Sequence, residues 1–320
     1  MRAEANAGRS MNADTRIKFR HLICFLEVAR HGSFARAADA LAVSQPAVSK
    51  TLKELEDLLE ASLFSRGKGG VALTAAGVAF MRYAGPCVQA LREGVSSLRE
   101  GAPEAPRARV GVLSSAESQL MGEVVARLHQ RHEALVVSVA TGPGTYLLDQ
   151  LRVGELDLVV GRMADSPAIQ GLSFEHLYSE SMILVVRPGH PLLRVSPGEF
   201  GRLSGFPLVL PLAGTTIRRH ADSLFVQLGI SPSHQRLETL SPALSRRYVL
   251  ASDAVWVAPE DAVSLELRRG ELVELQLGIR EPGGSVGICR NAAIEPPQAA
   301  LWVAEVLREV ARDHHGISNS

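Results

Sequence analysis

The sequence has no long apolar run. Its longest, such as Met182 to Val186 and Pro207 to Leu212, are short, whereas a membrane-spanning helix needs about 20 apolar residues; no such helix is expected. No apolar stretch stands near the start, where Arg2, Glu4, Asn6 and Arg9 are spread. A secretory signal is therefore not expected, and a cytoplasmic location is. Cysteine is scarce. The three present, Cys24, Cys87 and Cys289, are odd in number and far apart, with no CxxC or Cys/His cluster. That argues against a disulfide framework or a zinc site and for inert thiols in a reducing compartment. An excess of charge is missing too, since 34 basic residues balance 34 acidic ones. The balance argues against bulk polyelectrolyte binding, but a small module can still carry a local basic face. Enzyme signatures are absent: there is no G-x-S-x-G, no HExxH, no paired catalytic carboxylates and no Gly/Arg-rich adenylate loop. Neither catalysis nor a cofactor is expected.

What is present is ample apolar material, 46% of 320 residues, enough for two or three domains with real cores. Residues 1–15 are small and polar and read as a disordered extension. From Ile17 to about Gly101 the pattern is helical, interrupted at Ser65 to Gly70. Gly101-Ala-Pro-Glu-Ala-Pro106 is a linker composition and the clearest boundary. Beyond it strands and helices alternate. Arg109 to Leu113, Leu135 to Ala140, Leu156 to Gly161, Met182 to Arg187, Pro207 to Leu210 and Ala254 to Ala258 read as strands. Glu117 to Arg131, Thr145 to Gly154 and Pro297 to Asp313 read as helices. Short apolar runs between helical patterns imply parallel α/β units. No internal repeat is visible.

The first 60 residues spell three helices. Phe19 to Arg30 carries Leu22, Phe25, Leu26 and Ala29 on one stripe. Ser33 to Leu41 opens at an N-cap serine. The third starts at Ser44, with Pro46 in its first turn, where the missing N–H costs little. On it Val48, Leu52, Leu55 and Leu59 face inward. Gln45, Ser49, Lys50 and Lys53 lie on another face, and Glu54, Glu56, Asp57 and Glu60 gather toward the C-terminal half. A polar, basic first half suits a major groove, where Gln pairs with adenine and Lys with guanine or phosphate. Taken alone, the helix is equally a solvated amphipathic one. The short Ala42-Val43 turn before it tips the reading toward DNA. So does Leu63 to Leu73 after it, whose basic Gly-rich tip has the composition of a wing hairpin. Arg66 and Lys68 would lie against the backbone or the minor groove.

Several pieces in order make this head specific: Phe25-Leu-Glu-Val-Ala29, Gly32-Ser-Phe34, Ala37-Ala-Asp-Ala-Leu41, Ser44-Gln-Pro-Ala-Val-Ser49, Leu55-Glu56, Leu63-Phe-Ser-Arg66 and Leu73-Thr-Ala-Ala-Gly77. Together they resemble the head of the LysR-type transcriptional regulators. The resemblance implies an α/β protein overall. Its parts would be a winged helix-turn-helix (16–73), a dimerising linker helix (74–100), a hinge (101–108) and a two-lobed effector domain like the periplasmic binding proteins. Lobe I would take 109–180 and 281–313, and lobe II 181–280. It implies double-stranded DNA, a small-molecule effector and a second copy of the chain as partners, with tetramers and contact to RNA polymerase as further expectations. It carries DNA contact onto Ser33, Arg36, Ser44, Gln45, Pro46, Ser49, Lys50, Lys53 and Arg66.

In the linker helix Met81, Ala84, Val88, Leu91, Val95 and Leu98 alternate at spacings of three and four, the a and d positions of a seam. Self-association is one reading; docking on the helix's own domain is the other. Gly85-Pro86 should kink or unwind the helix locally.

Farther on, Ser114-Ser115 ends the first strand. Thr141-Gly-Pro-Gly-Thr145 precedes a helix, as does Pro211 to Arg219 with Thr215, Thr216 and Arg218, and Arg162 closes a strand. Each alone is ordinary turn chemistry. Together they put hydroxyls and guanidinium groups at strand ends, where open sheets bind ligands. By the resemblance, Ser114, Ser115, Thr145, Arg162, Thr215, Thr216 and Arg218 line the effector pocket. Leu151 to Arg162, Phe174-Glu-His-Leu-Tyr-Ser-Glu180, Val186 to Leu192 and Ile17-Lys-Phe-Arg-His-Leu22 resemble the subgroup that controls protocatechuate breakdown. That implies a carboxylated effector, held by cationic forks from Arg162, Arg218 and Arg219. A regulator of another metabolic pathway and a thiol redox sensor of the same architecture stay open as alternatives.

Overall fold

The computed structural model describes residues 16–67, 70–100, 105–163, 169, 171–195, 200–276, 278, 281–292 and 294–316. The expected disordered extension 1–15, the wing-tip residue Lys68 and most of the Gly101 to Pro106 linker lie outside them. The chain forms two compact units. One comprises Met1–Glu104 with Asp149–Leu156 and Asn291–Glu295, and the other comprises the rest.

The first unit opens with α1 (Phe19–His31), α2 (Phe34–Ala40) and α3 (Gln45–Leu59), then β1 (Phe64–Gly67), β2 (Gly70–Leu73) and the long α4 (Ala75–Glu100). α1 stops at Gly32, whose φ of 57° takes the left-handed cap and whose N–H donates to the Val28 carbonyl; such a φ suits a residue without Cβ. Phe25, Val28, Ala37, Val48, Leu52, Leu55 and Leu63 form the core. Phe25 packs against Phe80 and Phe64 with ring centroids 5.1 and 5.4 Å apart. These are the apolar positions of the sequence pieces that defined the head. Their final glycine has a steric reason. A Cβ on Gly77 would stand 2.1 Å from the Leu63 carbonyl oxygen, so α4 leaves the wing by a close approach that only glycine permits.

Two expectations for α4 need correction. The helix stays continuous through Pro86, so the local unwinding expected there is not found, although the proline ring removes one bond of the ladder. Met81, Ala84 and Val88, expected in a seam between copies, are buried in the core of their own unit. The docking reading holds for that half of the helix, and only Leu91 (49% exposed) and Val95 (44%) of the described seam positions face outward. The Leu98 side chain lies outside the described residues.

The second unit is built on one mixed sheet. Its strands are β3 (Arg107–Val112), β4 (Val136–Thr141), β5 (Leu158–Arg162), β6 (Leu172–Val186), β7 (Leu208–Leu210), β8 (Arg236–Glu238), β9 (Val255–Pro259), β10 (Val273–Glu274) and β11 (Glu281–Asn291). They lie in the order β4-β3-β5-β11-β6-β9-β7-β8, with β10 beside β6. The expected parallel pairing is found at each end, β4-β3-β5 and β9-β7-β8. The middle differs. β11 runs antiparallel to β5, and β6 antiparallel to β9. The long β11 and β6 lie side by side in the middle of the order, β11 beside β5 and β6 beside β9, so two lobes share one sheet. β11 begins Glu-Pro-Gly-Gly, a composition that hides a strand.

Strand alternation sorts the core of the second lobe. Met182, Leu184 and Val186 pack on one face of the sheet and Ile183 and Val185 on the other, the period of two that a strand imposes. The first lobe's core is closed by α10 (Gln298–His315), which buries Val303, Val306, Leu307 and Val310. The helix expected from Glu117 begins earlier. A helical turn at Ser114–Ala116 and a π-helical turn at Glu117–Met121 lead into α5 (Gly122–Arg131). The remaining helices are α6 (Gly144–Arg152), α7 (Thr216–Leu228), α8 (Pro242–Leu250) and α9 (Ser264–Arg269).

Candidate nucleic-acid interface and ligand cavity

In the first unit the order of charges along α3 becomes a division of labour. Arg36 on α2 and Gln45, Pro46, Lys50 and Lys53 on α3 are exposed, as is Ser44 before it, while Ser49 is half-buried. Two acids of its C-terminal half, Glu54 and Glu56, are engaged inside the unit, while Asp57 and Glu60 are exposed. Glu56 Oε1 accepts from the backbone N–H groups of Leu63 and Phe64, at 2.6 and 3.2 Å. Glu54 lies 3.6 Å from Arg20 and 3.5 Å from His21. The exposed part of the N-terminal half of α3 is polar and cationic, the electrostatic footprint of a groove-reading helix. The two serines differ. Ser33 accepts at Oγ from the Arg36 N–H, 3.4 Å away, and so caps α2; Ser44 stands at the N-cap of α3 with no side-chain cap hydrogen bond. The wing forms as the composition predicted, Phe64↔Leu73 to Gly67↔Gly70 in antiparallel register, with Arg66 opposite Val71. The Val71 N–H reaches the Gly32 carbonyl at 3.2 Å, which pins the wing to the turn after α1.

In the second unit a cavity of about 230 Å³ lies between the two lobes, sized for a small molecule. Ser114, Ser115, Thr145, Arg162, Thr215 and Thr216 all line it. They come from the end of β3, the start of α6, the end of β5 and the start of α7, so strands at both ends of the sheet deliver them to one place. Part of this polarity is already spent. Thr215 Oγ1 donates to the Leu212 carbonyl at 2.7 Å and accepts from the Arg218 N–H, capping α7. Ser115 Oγ accepts from Arg162 at 3.3 Å.

Arg218 is a correction. It is not among the lining residues. Its Nε donates to Asp222 at 2.8 Å, and its Nη1 to Glu238 and to the Pro211 carbonyl, both at 3.0 Å. Two carboxylates and a carbonyl already answer its charge, so it braces the start of α7. Its neighbour Arg219 lines the cavity instead, with Nη2 3.4 Å from Thr216 Oγ1. One residue along a helix turns a side chain by roughly 100°, and a turn read from sequence does not say which of two adjacent arginines faces inward.

Other lining residues carried signals that sequence reading passed over. Thr239, Ser241, Pro242 and Ser245 line the cavity. Ser241 caps α8, accepting from the Leu244 N–H at 3.3 Å, with proline at the first position; that pair is a legible helix start. Trp256 and Cys289 complete the apolar side. The start of α8 thus joins those of α6 and α7 at one cavity, and their aligned N–H dipoles favour an anion. Beneath the lining lies Glu180, fully buried and paired with Arg162. Burial pushes its carboxyl up to about 7, with Arg162 opposing and the Asp261 carboxylate adding to the rise.

No helix among the described residues is long and apolar enough to cross a membrane. No cluster of His, Cys, Asp or Glu among them could hold a metal ion. Cys24, Cys87 and Cys289 are thiols, none of them in a disulfide.

Comparison with known proteins matches both domains. Residues 19–78 match the model of the bacterial regulatory helix-turn-helix proteins of the LysR family, and residues 101–312 match the LysR substrate binding domain. The HTH-type transcriptional regulator PcaQ of Agrobacterium fabrum is 39% identical over 299 residues, covering 93% of this chain and 96% of that protein. The uncharacterized regulator YdcI of Escherichia coli K12 is also 39% identical, over 85% of this chain and 89% of its own. Among solved structures, a full-length variant of OxyR from Pseudomonas aeruginosa covers 92% of this chain and 98% of its own, with a TM-score of 0.58 and 23% identity. LysG from Corynebacterium glutamicum with bound effector Arg covers 93% and 99%, with a TM-score of 0.60 and 17% identity. These two share the fold: a helix-turn-helix head and a two-lobed α/β domain. The chain belongs to the LysR family of DNA-binding transcriptional regulators.

Proposed function

We propose that this regulator reads its operator with the exposed face of α3 and answers to a small carboxylate, an intermediate of protocatechuate or related aromatic breakdown, held between the lobes. The observation that carries the ligand class is the cavity itself. It gathers the hydroxyls of Ser114, Thr145 and Thr216, the N-termini of α6, α7 and α8, and the guanidinium groups of Arg162 and Arg219. Such a lining suits an acid more than a cation or a neutral sugar. Identity to PcaQ over nearly the whole chain supports the aromatic pathway. The equal identity to YdcI, whose name carries no pathway, supports a second reading, a small acid from other metabolism. In this proposal DNA contacts come from Arg36, Ser44, Gln45, Pro46, Ser49, Lys50, Lys53 and Arg66. The protein acts in the cytoplasm as a dimer or tetramer through α4 and addresses RNA polymerase at its promoter.

The test is a thermal-shift panel of protocatechuate, 3-carboxy-cis,cis-muconate, benzoate and non-aromatic dicarboxylates. A true effector at about 100 times its dissociation constant stabilises its domain by roughly 2.7 kcal/mol. Arg219→Ala should weaken that acid tenfold or more, about 1.4 kcal/mol or above. Arg218→Ala should leave its affinity within about threefold, since that guanidinium already has its acceptors. A cation or neutral sugar as the effector would overturn the ligand class.

A further inference from the structure

Arg162 is the cation nearest the cavity floor, and its charge is already matched. Its side chain is 7% exposed and pairs with Glu180, whose side chain is wholly buried. Its Nε donates to the Gly283 carbonyl at 3.0 Å and one Nη to Ser115 Oγ at 3.3 Å. An anion entering the cavity therefore meets an ion pair with no net charge. A second carboxylate beside the pair would leave two negative charges for one guanidinium in a dry place, which is costly.

Other buried polar groups crowd around Glu180. Tyr178 and Asp261 are buried there, and the His315 ring stacks on Tyr178 with centroids 3.8 Å apart. His315 Nε2 lies 3.8 Å from Asp261 Oδ2. Glu180 Oε1, Tyr178 Oη, Asp261 Oδ2 and His315 Nε2 are all buried without a hydrogen-bond partner among the described residues. Buried polar atoms are rarely left so. A proton on Glu180 turns one of these acceptors into a donor. Burial and the Asp261 carboxylate favour that proton, while Arg162 and the Asp261 backbone oppose it. Burial also holds His315 toward its neutral form.

We infer that Glu180 sets the charge of the effector cavity: an anionic effector takes Arg162 from Glu180, and Glu180 takes a proton in exchange. The site then binds an acid group together with one proton, and Glu180 acts on the ligand only through Arg162. This rests on the carboxylate reading above. The balance is simple, since the ligand anion replaces the Glu180 anion beside Arg162 and the proton comes from solvent.

The sign of the pH dependence follows. Free Glu180 titrates near 7, whereas the effector carboxylates ionise near 4. Above pH 7 the proton must be taken up on binding, so the dissociation constant should rise about tenfold per pH unit until the bound-state value is reached. Below pH 7 it should level off. Calorimetry of the full chain with 3-carboxy-cis,cis-muconate and protocatechuate, at pH 8 in two buffers of different ionisation enthalpy, should show uptake of about one proton. Glu180→Gln should bind more tightly than the native chain at pH 8, take up no proton and have a flat pH profile. A merely structural role for Glu180 would change affinity without removing the slope. Without ligand, the native chain should lose melting temperature relative to Glu180→Gln as pH rises from about 4.3 to 7, because its folded state holds a proton the unfolded chain releases. If Glu180→Gln does not fold, proton uptake by the native chain decides. Binding without uptake overturns the inference and leaves the carboxylate reading intact. Uptake that persists in Glu180→Gln assigns the proton to Asp261 or His315 and overturns it as well. Failure of every acid in the panel to bind removes the carboxylate reading and this inference together.

Discussion

The two units treat their charges in opposite ways. In the first, the two acids next to the basic half of α3 are tied down and the cations are shown: Glu54 and Glu56 face Arg20, His21 and two wing amides, while Lys50 and Lys53 stand in solvent. In the second, the lining arginine Arg162 is tied to Glu180, and Arg218 behind the lining to Asp222 and Glu238, while hydroxyls, helix starts and Arg219 line the cavity. The difference fits the two kinds of ligand. DNA is a polyanion met at a surface, and displacing its counterions is favourable from the first contact. A small acid is met in a cavity, where an uncompensated arginine would be costly while the site is empty. A net charge of zero over the chain conceals this arrangement completely.

The largest effect should come from the apolar counterpart of this division in α4, where Met81, Ala84 and Val88 are spent on the unit's own core and Leu91 and Val95 are shown. Aspartate at both Leu91 and Val95 should bury two unpaired charges in any interface made there, each at a cost of several kcal/mol. Sedimentation should then show monomer at concentrations where the native chain is dimeric, with the melting temperature of the monomer unchanged. Met81→Asp should instead unfold the head. A dimer unaffected by the double change would place self-association elsewhere.

Next is the claim that the acids of α3 are structural. Glu56→Ala leaves the buried Leu63 amide without its acceptor, a loss of about 1–3 kcal/mol. Denaturation of the head should move by that amount, and DNA affinity at saturating stability should not improve. If the variant instead binds all DNA more tightly with no loss of stability, Glu56 is acting as a repulsive charge toward phosphate and the comparison fails on that side.

A comparable effect separates base reading from phosphate contact. Gln45→Ala should relax preference at one base pair by about 1–3 kcal/mol, while Lys53→Ala should weaken all sequences alike and lower the salt slope by about 1. Titrations at several salt concentrations on matched and mismatched operators would tell them apart. Equal behaviour of the two variants would mean that α3 does not enter the groove by its first turn.

How much of this was legible beforehand also divides by unit. Apart from Arg66, the proposed DNA contacts of the head lie within 33–53, and a period of 3.6 separates Val48, Leu52 and Leu55 from Gln45 and Lys50 directly. The cavity draws on residues from Ser114 to Cys289, and no local period links them. Their strand-end positions could be found from turn chemistry, because Ser, Thr and Gly at a strand-to-helix turn have a backbone reason to be there. Facing could not: Arg218 and Arg219 exchange roles through packing against Glu238, which lies on another strand. Glu180 was invisible for the same reason. It sits in a stretch, Phe174 to Glu180, where apolar and polar residues do not alternate, so no period marks it as inward-facing in β6. In α4 the heptad pattern was real, but the core of the head had a prior claim on half of it.

The smallest effect tests the finest distinction, between two serines that sequence treats alike. Ser33 and Ser44 each precede a helix of the head, and the family resemblance puts both at DNA. Ser33 Oγ accepts from the Arg36 N–H, whereas Ser44 makes no side-chain cap bond. Removing a serine cap costs about 0.5–2 kcal/mol, and the 3.4 Å length and solvent exposure of this one put it at the low end. Ser33→Ala should therefore lower head stability by about 0.5 kcal/mol, and the change in DNA affinity should vanish once stability is restored by lower temperature. Ser44→Ala should leave stability unchanged, because no cap is lost. Whatever it does to DNA binding then belongs to contact with DNA at the start of α3. Equal stability losses in the two variants would show that Ser44 caps α3 in solution, and its hydroxyl would then be spent inside the unit, like Glu56 farther along the same helix.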